Sequence, residues 1–291
     1  MRAALVVATS GRAAMLQQVA LHWLRQTRPF ERIVLSAPAA EDVAGLGSLS
    51  DRIEIVLGAR GLCAQRNAAL DRLAGSCPLA IFLDDDLVPS RRFAAGAADL
   101  FARWPDVMVA SGTLLADGIN TPGIDYRAAA RQVAAYDVQP PPAVYSMQTI
   151  PHGYGCNLVA RVGAAPELRF DERLPLYGWQ EDLDFSRRLG SRGRIVRSDA
   201  IVGVHMGAKM GRASGVRLGY SQIANPVHLL RKQIMTPREA FVMASRNMIK
   251  NAVRYPWPEP WVDRRGRLRG NMVALWDAAR GRLQPERVLD L

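Results

Sequence analysis

The sequence predicts an α/β protein built on an open, mostly parallel sheet flanked by helices, with a basic helical extension at its C-terminal end. Three observations carry that expectation. Short apolar runs alternate with segments of helical period through the first two hundred residues, a pattern that calls for parallel strands with helices on both faces. The acidic run Asp84-Asp85-Asp86 follows directly on the apolar run Leu79–Leu83, and open α/β sheets keep their ligands at the carboxyl ends of their strands. Charge is also divided unevenly: residues 1–204 hold 22 basic and 21 acidic side chains, whereas residues 205–291 hold 16 and 6.

Taken in order, Ala3–Ala8 (AALVVA) reads as a buried strand, and Met15, Val19 and Trp23 follow it at helical spacing. Arg32–Ala37 and Arg52–Leu57 read as strands, Arg66–Leu73 as helical and Leu79–Leu83 as a strand. A helical stretch is expected from Pro89 to Trp104, then a strand over Val107–Leu115. Gly118, Pro122, Gly123 and Pro140-Pro141-Pro142 break any period over residues 116–150, as in long segments that pass over a site. The pattern is helical again from Glu181 to Leu189, and Arg194–Val204 reads as a strand ending at His205. A body of residues 1–205 and an extension of residues 206–291 are the expected divisions. In the extension, Thr236-Pro237-Arg238-Glu239 has the capping box and first-turn proline that start a helix. That helix should run to about Tyr255, stopped by Pro256 and Pro258. Phe241, Ala244, Met248 and Ala252 share one face, and Arg246, Lys250 and Arg254 lie roughly 140° around the axis.

Composition narrows the function. A chain of 291 residues with 49% apolar and 22% charged side chains is long enough for a proper core and is not disordered. No apolar run approaches the roughly 18–20 residues of a membrane-spanning helix, and Met1–Ser10 lacks a cleavage pattern. Cys63, Cys77 and Cys156 are odd in number and widely spaced, which suits neither a disulfide framework nor a zinc site and points to a reducing, cytoplasmic setting. The net charge of +11 invites a nucleic-acid reading, but the near-neutral body argues against that partner.

Several residues could do chemistry. Adjacent carboxylates at a strand end repel unless a cation offsets them, and Asp84 and Asp86 point the same way in extended chain, toward one hard divalent ion. The plainer reading is a solvated acidic turn. Glu181-Asp182 could supply a general base at a cleft edge or simply complement a helix N-terminus. His205 is either packed or a ligand, and His152 sits in a glycine-rich loop that could touch substrate. Thr9-Ser10-Gly11-Arg12 lies between a strand and a helix, where backbone N–H groups and hydroxyls suit an anion or nucleotide. Arg66-Asn67 stands at another helix entry. Neither a GxGxxG nor a GxxxxGK[ST] motif is present, which removes support for dinucleotide redox chemistry and for a P-loop kinase.

In order along the chain, VVATSGR, Arg66-Asn67, LDDDLVPS, GCNLVARV, RFDERLPLYGWQEDLDFSRRL and His205 resemble the features of family 2 glycosyltransferases with the GT-A fold. The resemblance implies a non-processive, inverting enzyme of the bacterial polysaccharide type. It would transfer sugar from a nucleoside-diphosphate sugar to an acceptor hydroxyl with Mn²⁺ or Mg²⁺. It implies that Thr9 and Arg12 line the nucleotide pocket and that Arg66 contacts base or phosphate, with Asn67, Asp84 and Asp85 also on the donor. Asp84, Asp86 and His205 would hold the metal. Asp182 would be the catalytic base, with Glu181 as fallback, and Trp179, Gln180 and His152 would border the acceptor. The family's base-reading Asp is replaced by Ser36-Ala37, which leaves the base identity open, with Glu41 and Asp42 as candidate substitutes. The processive Gln-x-x-Arg-Trp motif is absent. A saccharide or lipid-linked acceptor and a role in surface polysaccharide or glycolipid synthesis follow as expectations. For residues 236–291 two readings stay open: contact with anionic membrane at the inner face of the cell membrane, or packing on the body with a solvated basic face. The alternatives are a sugar-phosphate nucleotidyltransferase, a catalytically dead transferase-like module, and a non-catalytic protein binding nucleic acid or an acidic surface.

Overall fold

A computed structural model describes residues 1–209 and 214–291. The first elements follow the apolar pattern closely. They are β1 (Ala3–Ala8), α1 (Ala13–Leu24), β2 (Arg32–Ala37), β3 (Ile53–Leu57), α2 (Leu62–Leu73) and β4 (Leu79–Asp84). β1, β2 and β4 are buried almost throughout because their apolar runs have no polar face to give to water. In β3 only Ile53 is buried and the other four positions are intermediate or exposed, as suits the strand at the end of the sheet. In α1, Leu16, Val19, Ala20 and Trp23 bury one stripe at helical spacing.

β5 (Leu87–Pro89), α3 (Phe93–Arg103), β6 (Val107–Asp117), α4 (Tyr126–Asp137), β7 (Met147–Thr149), β8 (Asn157–Ala160), α5 (Glu181–Gly190) and β9 (Arg194–His205) follow. The sheet order is β3-β2-β1-β4-β8-β6-β9-β5, with β7 also on β9. β1, β2, β3 and β4 pair in parallel, as does β6 with β9, whereas β5, β7 and β8 run antiparallel to their neighbours. Two expectations are corrected here. Pro89 ends strand β5 and does not start a helix; Ser90 accepts from the Arg92 N–H through its hydroxyl, and α3 begins at Phe93. Residues 116–150 also hold a regular helix, α4. Its N-cap Asp125 accepts from the Ala128 N–H and its Ala129 and Val133 are buried, a signal masked by the flanking glycines and prolines.

α3 rests on β9 at Gly96, where an added Cβ would overlap the Ala200 carbonyl oxygen. Backbone cannot retreat as a flexible side chain can. Gly96→Ala is therefore expected to destabilise the fold by about 1–3 kcal/mol, read as a lower denaturation midpoint at unchanged m-value.

The remaining helices are α6 (Gly215–Arg231), α7 (Pro237–Val253) and α8 (Arg264–Ala279). α7 starts with the expected capping box of Thr236 and Glu239. The chain groups into two compact units. One holds the sheet with α1, α3 and α4. The other holds Gly61–Cys63, Asp171–Asp184 and α6 to α8, so two segments from within residues 1–205 group with the C-terminal helices. In this second unit α6 and α8 pack through glycine. An added Cβ at Gly219 would meet the Arg267 backbone, and one at Gly270 would meet the Val216 carbonyl. A small apolar cluster around Tyr220, Ile223, Ala274 and Val288 is joined by a buried polar network. Asn251 donates to Gln222 (2.8 Å) and Asn271 (2.9 Å), and Arg264 donates to Asn251 (3.1 Å). The expected apolar face of α7 is not its buried one: Phe241 is 73% exposed, whereas Ala240 and Asn251 turn inward. The network asks for polar side chains there, and apolar spacing alone cannot show which face it claims.

Candidate active site

β4 carries the acidic run to the carboxyl end of the parallel half of the sheet, and residues 85 and 86 then turn the chain into β5. The turn that begins at Asp85 separates the three carboxylates. Asp85 meets the loop after β1, accepting from the Thr9 hydroxyl (2.7 Å) and from the Arg12 guanidinium (2.7 Å). Asp84 and Asp86 meet His205, whose strand end pairs with Leu87. One donor atom each from Asp84, Asp86 and His205 lies within 4.8 Å of the others. Two hard carboxylate oxygens and one imidazole form a donor set that fits Mn²⁺ or Mg²⁺, with coordination positions left for substrate oxygens.

The ionisation of this cluster follows from its surroundings. Asp86 is buried, which would raise it, but the bonds from His205 and the Ala208 N–H, together with Arg12, hold it below the ordinary carboxylate range. Asp84 is pushed up by burial and by Asp86, against Arg66 (3.2 Å). Burial raises Asp85 to about 6 despite Arg12. His205 would be lowered by burial alone, yet Asp117 and Asp86 raise it to about 10.

The structure thus gathers Thr9, Arg12, Asp84, Asp85, Asp86 and His205, with Arg66 beside them. Arg66 is almost fully buried, stacked near Phe82 (5.6 Å) and Phe170 (5.2 Å), and it donates to the Gly155 carbonyl (2.9 Å). Asn67 clasps the Phe170 backbone, donating to its carbonyl (2.9 Å) and accepting from its N–H (2.7 Å). Of the two proposed substitutes for a base-reading acid, Asp42 is buried and accepts from the Gly11 N–H (2.5 Å), while Glu41 is exposed. His152 bonds the adjacent Gly153 carbonyl (2.8 Å).

Glu181 and Asp182 belong to the second unit, at the first turn of α5. The segment before them is backbone-strained: Leu176 (φ 57°), Gly178 (φ 61°) and Gln180 (φ 76°) are all left-handed. Non-glycine residues rarely adopt that region, and such strain collects at functional sites. Glu181 is buried and Asp182 is part-exposed, with its carboxylate accepting from the Leu183 N–H (2.8 Å). Trp179 is held through its carbonyl by Asn225 (2.7 Å), and the Gln180 amide donates to the Met243 sulfur.

Two residues here carry no sequence signal. Gln65 ties the ends of β1 and β2 together, donating to the Thr9 and Ser36 carbonyls (2.8 Å each). Asp117, at the end of β6 and in register with His205, accepts from His205 Nδ1 (2.8 Å) and from the Tyr154 hydroxyl (3.1 Å). A carboxylate on Nδ1 fixes the imidazole so that Nε2 faces Asp86, the arrangement that orients a metal-binding histidine. No sequence motif marks Asp117; only strand pairing brings it there. Asp117→Ala is expected to weaken Mn²⁺ binding about 10–100-fold in a calorimetric titration, with Asp117→Asn milder because its amide oxygen still accepts from Nδ1–H.

Neither a scan against protein-family models nor a search of curated proteins finds a match to the chain. Solved structures do match. The mannosyltransferase PcManGT from Pyrobaculum calidifontis, in complex with GDP-Man and Mn²⁺, aligns at a TM-score of 0.56 and 15% identity, over 99% of this chain and 84% of that one. S. aureus TarS 1–349 in complex with UDP-GlcNAc aligns at 0.53 and 12% identity, over 79% and 67%. GalNAc-T7 with UDP, GalNAc and Mn²⁺ aligns at 0.59 and 11% identity, over all of this chain but only 56% of that one. What these likenesses establish is the fold, that of GT-A-type glycosyltransferases.

Proposed function

We propose that this chain, carrying a GT-A-type fold, transfers a sugar from a nucleoside-diphosphate sugar to an acceptor hydroxyl. The observation that carries the reading is the Asp84–Asp86–His205 donor set at the end of β4, in a fold whose solved neighbours include complexes with nucleotide sugar and Mn²⁺. Asp84, Asp86 and His205 would hold Mn²⁺ or Mg²⁺. When bound, such an ion neutralises charge on the departing diphosphate. Asp85 fixes Arg12 and Thr9 at the β1 loop, and Arg12 supplies a cation beside the donor's phosphates. Asp182 takes the proton of the acceptor hydroxyl as its oxygen attacks the anomeric carbon. The carbon–phosphate-oxygen bond breaks as the new glycosidic bond forms, and the nucleoside diphosphate leaves. One displacement from the opposite face inverts that carbon, as expected of a non-processive family 2 enzyme. Glu181 stays the fallback base, with Trp179, Gln180 and His152 toward a saccharide or lipid-linked acceptor.

A role in surface polysaccharide or glycolipid synthesis belongs to the same proposal, with the enzyme at the inner face of the cell membrane. No helix among the described residues is long and apolar enough to cross a membrane. A panel of nucleoside-diphosphate sugars, assayed for donor hydrolysis with and without Mn²⁺ or Mg²⁺, tests the reading. Hydrolysis of at least one donor that depends on the ion is the expected result. Pyrophosphate released from a sugar phosphate and a nucleoside triphosphate would replace it with nucleotidyl transfer.

A further inference from the structure

The helical C-terminal unit buries polar groups beside its small apolar cluster and leaves large apolar groups exposed. Gln222, Asn251, Asn271 and Arg264 are buried in its hydrogen-bonded interior. Several of its large apolar side chains stand outside: Phe241 is 73% exposed, Ile249 59%, Val253 67%, Trp257 81% and Trp276 57%. Exposed apolar groups so concentrated mark a surface meant to be covered. On α7, Phe241, Ile249 and Val253 occupy an arc of about 120°, and Arg246, Lys250 and Arg254 take the arc beside it. On α8, Met272, Leu275 and Trp276 lie among Arg265, Arg269 and Arg280, by the same helical spacing.

We propose that the outer faces of α7 and α8, with the turn through Trp257 between them, dock on an anionic lipid bilayer. This deepens the expectation that residues 236–291 meet membrane, and it stands apart from the transferase reading. Charge selects the partner. Residues 215–291 contain six acidic side chains, and each is already engaged. Glu239 and Asp263 cap helices. Glu259 holds Arg264, Asp277 accepts from Tyr220, Glu286 holds Arg173 and Asp290 holds Arg287. The outer arginines are left to meet a negative surface. A second copy of the face would bring like charges together, which disfavours self-association. Arg280 lies over the Trp276 ring (3.8 Å) and Arg265 over Tyr255 (5.5 Å), joining cation and aromatic as groups at a lipid interface do. Nucleic acid would satisfy the arginines but gains little from Ile249, Val253, Met272 and Leu275.

Flotation of the full chain with vesicles decides the matter. Phosphatidylcholine vesicles containing about one-third phosphatidylglycerol are expected to carry the protein up, phosphatidylcholine alone to leave it behind, and raised salt to release it. The double variant Trp257→Ser, Trp276→Ser should weaken partitioning at least about tenfold by removing two interfacial rings. Arg246→Glu with Lys250→Glu should do the same, since each cation near such a surface is worth about fivefold. All four side chains are exposed, so both variants should keep the wild-type melting curve. Three results overturn the proposal: equal recovery with neutral vesicles, no recovery with either, or a solution dimer abolished by the tryptophan substitutions. Retention on a single-stranded oligonucleotide without vesicle recovery would assign the face to nucleic acid instead.

Discussion

Asp86→Ala is expected to abolish Mn²⁺ binding and to lower sugar transfer about a thousandfold, a loss of about 4 kcal/mol. Asp86 is the pivotal carboxylate because it is both buried and held ionised. Its oxygens face His205 Nε2 (3.3 Å) and the Ala208 N–H (2.6 Å), and its carboxyl lies below the ordinary range. Asp84 shares its charge with Arg66 and should tolerate replacement better. The same geometry sets a pH dependence. In the ion-free chain His205 is raised from 6.5 to about 10 by Asp117 and Asp86, against its burial. An ion binding at Nε2 must displace that proton. Apparent Mn²⁺ affinity should therefore climb about tenfold per pH unit through neutrality and level off above the raised value. For the ion-free fold the sign is opposite. A raised histidine stabilises fully below its unfolded value of about 6.5 and loses that contribution as pH rises through about 10. Calorimetry in buffers of different ionisation enthalpy reads the displaced proton directly. Wild-type transfer that persists undiminished in excess chelator would sink the metal assignment.

How much of this was legible in the sequence depends on how local the signal is. β1, β2 and β4 are continuous apolar runs buried on both faces, and no other placement hides them. The acidic run could be read because its position at the end of β4 follows from chain order alone. β5, β7 and β8 could not be read, since strands of three or four residues hold too few periods to show. Asp117 was hidden for a different reason. Its partner His205 is 88 positions away, and only the parallel register of β6 on β9 joins them. Arg66 and Asn67 show the limit of motif reading: the sequence puts the pair at a helix entry, yet α2 already begins at Leu62 and Asn67 bonds the Phe170 backbone.

The C-terminal helices show the converse. The capping box of α7 was visible because it involves only four consecutive residues. Which face α7 buries was not, because a hydrogen-bonded interior reverses the usual assignment of apolar side chains to the core. Asn251, buried and bonded to Gln222 and Asn271, takes the place that an apolar periodicity would have given to Phe241.

Asp182→Asn is the second decisive substitution, expected to lower turnover by about 10²–10⁴-fold while leaving donor affinity nearly unchanged. The replacement keeps size and one acceptor oxygen, so the bond from the Leu183 N–H can persist and the first turn of α5 need not shift. What it removes is the capacity to accept a proton. Asp182 is part-exposed whereas its neighbours Glu181 and Leu183 are buried, which leaves it the accessible carboxylate of the pair. The strained Leu176 and Gln180 just before it hold the chain in one path, which suits a base that must meet a hydroxyl within hydrogen-bond reach. A base acting only on the acceptor should lower kcat for transfer but spare donor binding, because the donor does not present the proton concerned. Titration calorimetry with donor and Mn²⁺, beside initial rates with acceptor, separates the two effects. Turnover retained in Asp182→Asn would move the role to Glu181, and lost donor binding would make Asp182 part of the donor pocket instead.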